Sequence, residues 1–138
     1  MRKLWKRICK SEKGFTLVEL MIVIIILAVL TGIAVPSYMA LRNRARESAT
    51  ESEMKNIATA LELYQADNEI YPLTAGYPAG LVNYMDPVPA NDDWGKAYAY
   101  VSAAGDTYTL TSTGADGAAA GGDDLVITDG QWTSTGAY

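Results

Sequence analysis

Polarity almost disappears from this chain between a basic N-terminal stretch and Pro36. Within residues 15–35 the interruptions are Thr16, Glu19, Thr31 and Gly32, and beyond Leu20 only the last two remain. A helix rises about 1.5 Å per residue, so a run of this length spans roughly 30 Å, the thickness of a bilayer core. The pattern predicts a membrane-spanning helix over residues 15–38.

Downstream the pattern changes character. Residues 42–53 are densely charged, and then Met54, Ile57, Ala58, Leu61 and Tyr64 return at spacings of three and four. That period lays an apolar stripe along one helix face, so the helix is expected to continue out of the membrane as an amphipathic half, residues 39–67. The stripe is expected to pack on a sheet; docking of a partner is the alternative. Glu51 and Lys55 stand four residues apart, a pairing worth roughly 0.2–0.5 kcal/mol. Asp67-Asn68 favours a turn and Pro72 follows, so the helix should stop at residues 66–69.

An irregular loop rich in Pro, Gly and Tyr then covers residues 73–90. Alternation with period two marks AYAYVSA (97–103) and TYTLTS (107–112) about a Gly105-Asp106 turn, a hairpin pattern. LVIT (125–128) suits a short third strand, and Trp132 is a candidate to close the core. Tyr98, Tyr100 and Tyr108 fall in these strand segments, where sheet packing is expected of them. An aromatic electron-transfer chain is the alternative, which their spacing does not support. Together these elements predict an α+β fold: a long N-terminal helix packed on a small antiparallel sheet, with residues 68–138 as loop and sheet.

Charge sharpens the division. The chain has 11 basic and 16 acidic side chains, yet Arg2, Lys3, Lys6, Arg7, Lys10 and Lys13 all precede Gly14, opposed only by Glu12. Residues 15–138 hold five basic and fifteen acidic side chains, a balance of −10. From Asn56 onward Lys96 is the single cation among eleven carboxylates. So acidic a body repels nucleic acid, and no nucleic-acid binding by the globular part is expected. Arg42, Arg44 and Arg46 could hold anionic headgroups, form a solvated flank or contact packed subunits.

The chain contains no His, which removes the commonest general base and the commonest zinc ligand. Its one cysteine, Cys9, lies in the basic stretch, so the body has neither disulfide nor thiol nucleophile. No Gly-rich phosphate loop follows a strand, and catalysis is not expected. Asp92 and Asp93 could do acid–base work in principle, but beside a turn they are expected to face solvent. A body of about seventy residues buries little surface, so something other than a disulfide must hold its loops.

The basic cluster is expected to stay cytoplasmic, placing the chain beyond Pro36 outside. A secretory signal peptide shares the basic and apolar parts. Against it stand the length of the run, Glu19 within it, and no small-x-small site before a polar start. A plain single-pass anchor leaves Glu19 unexplained, since a carboxylate in hydrocarbon costs about 3 kcal/mol or more.

K-G-F-T-L-V-E-L (13–20), followed by the apolar run and Pro36, resembles the type III signal of type IV pilins and type II secretion pseudopilins. Five features coincide: basic leader, Gly before an aromatic, Glu five residues on, apolar helix, and proline at its far end. The resemblance implies the pilin fold, removal of residues 1–14 by a prepilin peptidase cutting between Gly14 and Phe15, and N-methylation of Phe15. Cleavage frees a cationic amine, which methylation keeps charged. An ion pair between that amine on one subunit and Glu19 on its neighbour would relieve two buried charges and set the register of assembly. The alternative is that Glu19 snorkels to the cytoplasmic interface. Pro36 has no amide for the Gly32 carbonyl. That break is either a tolerated kink or, on the resemblance, a segment that loses helical order on entering a filament.

Between the last two predicted strands runs T-S-T-G-A-D-G-A-A-A-G-G-D-D-L (111–125). Glycines at 114, 117, 121 and 122 would let Asp116 curl toward Asp123 and Asp124, giving oxygens for a hard cation such as calcium. The spacing is not that of an EF-hand, and it suits a solvated turn-rich loop equally well. L-x-S-x-G-x-D-G followed by G-G-D-D, with the preceding P-A-N-D-D-W-G-K-A-Y-A-Y, resembles the calcium loop of type II secretion major pseudopilins. So does the helix exit A-L-E-L-Y-Q-A-D-N-E-I-Y-P (60–72). The resemblance implies calcium on Asp116, Asp123, Asp124 and the Thr113 carbonyl. The chain departs from that family at Asp92-Asp93-Trp94-Gly95, where D-P-W-G is usual, and in the loop after Pro72.

These resemblances imply a structural subunit of a type II secretion-like pseudopilus, a helical homopolymer promoting export of folded proteins. The alternative is a type IV pilin of a surface fibre for adhesion, motility or DNA uptake. Implied partners are further copies of the chain, minor pseudopilins or pilins, the prepilin peptidase, and an inner-membrane platform with a cytoplasmic ATPase. The implied location is the bacterial inner membrane, single-pass, with a cytoplasmic N-terminus and periplasmic body.

Overall fold

A computed structural model describes residues 14–136. The basic leader up to Lys13, with Cys9, lies outside the described residues. One helix, α1, runs Leu17–Asn68 and passes through Pro36. It ends where Asp67-Asn68 was expected to end it, and Glu69 follows with a positive φ of 65°. The chain forms two compact units, one up to Tyr38 and one from Met39.

In the first unit every described side chain is exposed. This segment is long and apolar enough to cross a membrane. Its hydroxyls turn inward on the backbone: Thr31 donates to the Leu27 carbonyl at 2.7 Å and Ser37 to that of Ile33 at 3.2 Å. Such i−4 bonds remove polar groups from the helix surface, as hydrocarbon surroundings require.

In the second unit, the predicted apolar stripe packs inward. Met54, Ile57 and Leu61 are fully buried, Ala58 nearly so, and Tyr64 is half-buried against the core. They meet a four-stranded antiparallel meander in the order β1-β2-β3-β4: β1 (Ala99–Val101), β2 (Thr109–Ser112), β3 (Leu125–Thr128) and β4 (Gln131–Thr135). Register aligns Tyr100 with Leu110, Leu110 with Ile127, and Ile127 with Trp132. That row crosses the whole sheet, and the alternation of β2 and β3 places Leu110, Leu125 and Ile127 on the buried face.

Two differences from the pattern have local causes. The hairpin strands are shorter than their alternating segments, so Tyr98 and Tyr108 lie one residue before β1 and β2. Strand β4 was not expected. It arises from Asp129-Gly130, whose φ values of 48° and 75° make the two-residue turn favoured between antiparallel strands. Asp129 also clasps the sheet, accepting from the Tyr108 N–H at 2.8 Å. Trp132 on β4 packs against the core, and the Lys55 ammonium lies 5.8 Å from its ring centre.

Two 3₁₀ turns, Thr74–Gly76 and Ala79–Leu81, give the irregular loop its shape, and Leu81 is fully buried. Tyrosines join this loop to the sheet. Tyr77 stacks on Tyr100 at 4.9 Å, Tyr100 on Tyr108 at 6.0 Å, and Tyr71 meets Tyr108 edge-on at 4.8 Å. Their hydroxyls find acceptors: Tyr100 donates to the Pro72 carbonyl at 2.6 Å and Tyr77 to that of Pro89 at 3.1 Å. Tyr98 donates to the Glu53 carboxylate at 2.5 Å, linking sheet to helix. The tyrosines therefore do the packing expected of them and also satisfy loop carbonyls.

Candidate functional site

Two places hold the candidate functional residues, one in each unit. At the N-terminal place, Gly14, Phe15 and Thr16 precede α1 in non-helical backbone, and Phe15 is 84% exposed. Thr16 and Glu19 form a reciprocal cap. The Thr16 hydroxyl accepts from the Glu19 N–H at 3.2 Å, while the Glu19 carboxylate accepts from the Thr16 N–H and hydroxyl, both at 2.9 Å. This capping box satisfies helix N–H groups that have no intrahelical partner. Glu19 thus has a partner within its own chain, beyond the two roles its position suggested. The signal was present in the sequence: Thr16-x-x-Glu19 immediately before an apolar run.

The second place is the acidic loop, which leaves β2 at Ser112 and enters β3 at Leu125. Asp116, Asp123 and Asp124 converge there, each offering a carboxylate oxygen, all within 4.8 Å of one another. Asp123 and Asp124 are buried and Asp116 is exposed. Backbone amides hold them in place. Asp123 Oδ2 accepts from the N–H groups of Ala115 and Asp116 at 2.7 and 3.1 Å. Asp116 Oδ1 accepts from Ala118, and Asp124 Oδ2 from Ala120, each at 2.7 Å. The Thr113 carbonyl accepts from the Gly117 N–H at 3.1 Å. Gly114, at φ +59°, lies so close to Asp123 that a Cβ would overlap its carbonyl.

Within this loop, Asp124 Oδ1 is buried with no hydrogen-bond partner. A buried carboxylate oxygen left unsatisfied is costly unless a cation or donor meets it. Oxygens opposed across calcium lie roughly 4.8 Å apart, twice a metal–oxygen distance of about 2.4 Å. An all-oxygen set with a buried unsatisfied member fits a hard divalent cation.

Asp92, expected at the surface, is buried, and only Asp93 faces solvent. The Asp92 carboxylate accepts from the N–H groups of Trp94 and Lys96 and from the Ser112 hydroxyl. Asp93 exchanges hydrogen bonds of 3.3 Å with Thr50, tying this turn to α1. Adjacent acids near a turn look alike in sequence; packing against β2 distinguishes them.

An apolar, capped N-terminal helix followed by an α+β body with an acidic loop is the architecture expected of a pilin-like protein. In agreement, residues 9–35 match the prokaryotic N-terminal methylation motif. Residues 37–129 match the family of type II secretion system protein G, and the chain belongs to that family. Relatives include the type II secretion system core protein G of Pseudomonas aeruginosa, 33% identical, with 83% of this chain and 91% of the relative covered. The core protein G of Escherichia coli is 32% identical, covering 86% and 92%. The type IV wide pilus major component of Thermus thermophilus is 33% identical over 73% of this chain and 72% of its own. No solved structure gives a significant match.

Proposed function

We propose that this protein is the structural subunit of a type II secretion pseudopilus, polymerising through its N-terminal helix to promote export of folded proteins. The observation that carries this is one chain holding both the methylation motif and a protein G body. The role is mechanical: the chain supplies a helix for packing and a body for the filament surface, and it catalyses nothing. Force comes from a cytoplasmic ATPase acting through an inner-membrane platform, and minor pseudopilins share the filament. A type IV pilin is the second reading, favoured by the similarity to the Thermus pilus component. Filament length imaged in cells, beside a secretion assay in a deletion strain, separates the two. Short filaments with lost secretion support the pseudopilin; long surface fibres with intact secretion overturn it.

Prepilin peptidase cuts between Gly14 and Phe15, and mass spectrometry of the mature chain should find N-methylated Phe15 at its start. In the filament, the Phe15 amine of one subunit pairs with Glu19 of another, and the segment at Pro36 gives way to allow packing. Before assembly the chain sits singly in the inner membrane with its body periplasmic.

Asp116, Asp123, Asp124 and the Thr113 carbonyl would hold calcium. When bound, the ion supplies positive charge to three carboxylates and links the loop to β2 and β3. The chain's own contribution is to fix those oxygens by backbone N–H groups and to bury Asp123 and Asp124 beside the core. This supports the reading of calcium as the staple that replaces a disulfide.

A further inference from the structure

Asp92 lies outside the carboxylate cluster, yet its hydrogen bonds lead to the cluster by two routes. Its Oδ2 accepts from the Ser112 hydroxyl at 2.6 Å, and the same hydroxyl oxygen accepts from the Gly114 N–H at 3.3 Å. Its Oδ1 accepts from the N–H groups of Trp94 and Lys96 at 3.0 and 2.9 Å. Its own N–H donates to the Lys96 carbonyl at 2.7 Å. Lys96 is thereby fixed, and its ammonium donates to the Ala115 carbonyl at 3.2 Å. Its side chain also crosses Gly117 so tightly that a Cβ there would overlap it.

Gly114 and Ala115, gripped by these two routes, immediately precede Asp116. Ala115 and Asp116 also provide the N–H groups that hold Asp123 Oδ2. The loop backbone that sets two of the three carboxylates is therefore anchored on a single buried acid, 5% exposed.

We infer that Asp92 is a positioning residue for the metal site, holding residues 114–116 in the conformation that brings Asp116 and Asp123 together. It does so through Ser112 and Lys96, without touching the ion. The inference rests on the calcium reading above and adds a residue that determines affinity. Groups that orient the ligands of a metal commonly change its affinity by about 10–100-fold.

Calorimetric titration with calcium chloride tests this on the purified full chain in detergent, with circular dichroism to verify folding. Asp92→Asn and Ser112→Ala should each weaken calcium binding about tenfold. The double variant should lose less than the product of the two single losses, because both break the shared route through the Ser112 hydroxyl. A purely structural role predicts instead a lower melting temperature with unaltered affinity below it. If Asp92→Asn fails to fold, Ser112→Ala, which removes one oxygen, decides alone. Parent-like affinity in the folded variants overturns the inference, as do losses that multiply in the double variant. A parent chain that takes up no calcium overturns the metal reading itself, and this inference with it.

Discussion

In the capping box at the start of α1, the Glu19 carboxylate accepts two hydrogen bonds from Thr16. Its charge and its shape can therefore be tested apart. Glu19→Gln keeps the acceptor oxygen that a capping box needs but removes the charge. Glu19→Ala removes both. If pairing with the neighbour's Phe15 amine drives assembly, both variants give no filaments by electron microscopy of cells. Normal filaments with Glu19→Gln would assign assembly to the cap instead. The two oxygens of Asp124 also differ: one accepts from the Ala120 N–H, and the other has no hydrogen-bond partner.

Within the acidic loop, glycine is required where backbone and neighbour both forbid a side chain. Gly117 combines a φ of +70° with the Lys96 side chain lying where a Cβ would stand. Gly117→Ala should cost about 1–3 kcal/mol of stability, from the left-handed backbone alone, read as a lower urea midpoint of the full chain in detergent. Metal removal acts on the same element. At a free concentration 100-fold above its Kd, a ligand of the folded state stabilises it by about 2.7 kcal/mol. For a body of this size that is a melting shift of about ten degrees or more. The expected outcome is a lower melting temperature in EDTA, restored by added calcium. Identical curves under the two conditions would remove calcium from the account.

At the scale of the whole body, stability depends on a stack of tyrosines. Burial pushes the Tyr77 and Tyr100 hydroxyls up to about 12 from an ordinary 10. Tyr108 is raised by burial too, and Tyr98 by burial together with the Glu53 carboxylate it donates to. The folded state thus favours the neutral phenol, while the unfolded chain ionises near its ordinary value. Between those two pH values the unfolded state binds fewer protons, so stability falls with rising pH. It is fully present below about pH 10 and is lost progressively as pH rises through about 12. An alkaline titration should show phenolate absorbance rising together with loss of circular dichroism. Ionisation of Tyr77 or Tyr100 at the ordinary pH in a chain that stays folded, read as the absorbance that Tyr→Phe removes, would contradict this packing.

What the sequence determined by itself are the features written in local pattern. The apolar run, the stripe from Met54 to Leu61 and its end at Asp67-Asn68 follow from period and turn chemistry, and the structure places each as expected. The capping box and the β3–β4 turn are equally local, at Thr16-x-x-Glu19 and Asp129-Gly130. The convergence of Asp116, Asp123 and Asp124 was legible as a possibility only, since glycines permit a curl without imposing it. Tertiary structure alone decided that Asp92 is buried and Asp93 exposed, that one Asp124 oxygen lacks a partner, and that Lys96 reaches Ala115. The reason is physical: periodicity records which face of an element meets the core. Which oxygen loses its water depends on how residues far apart in the chain pack around it.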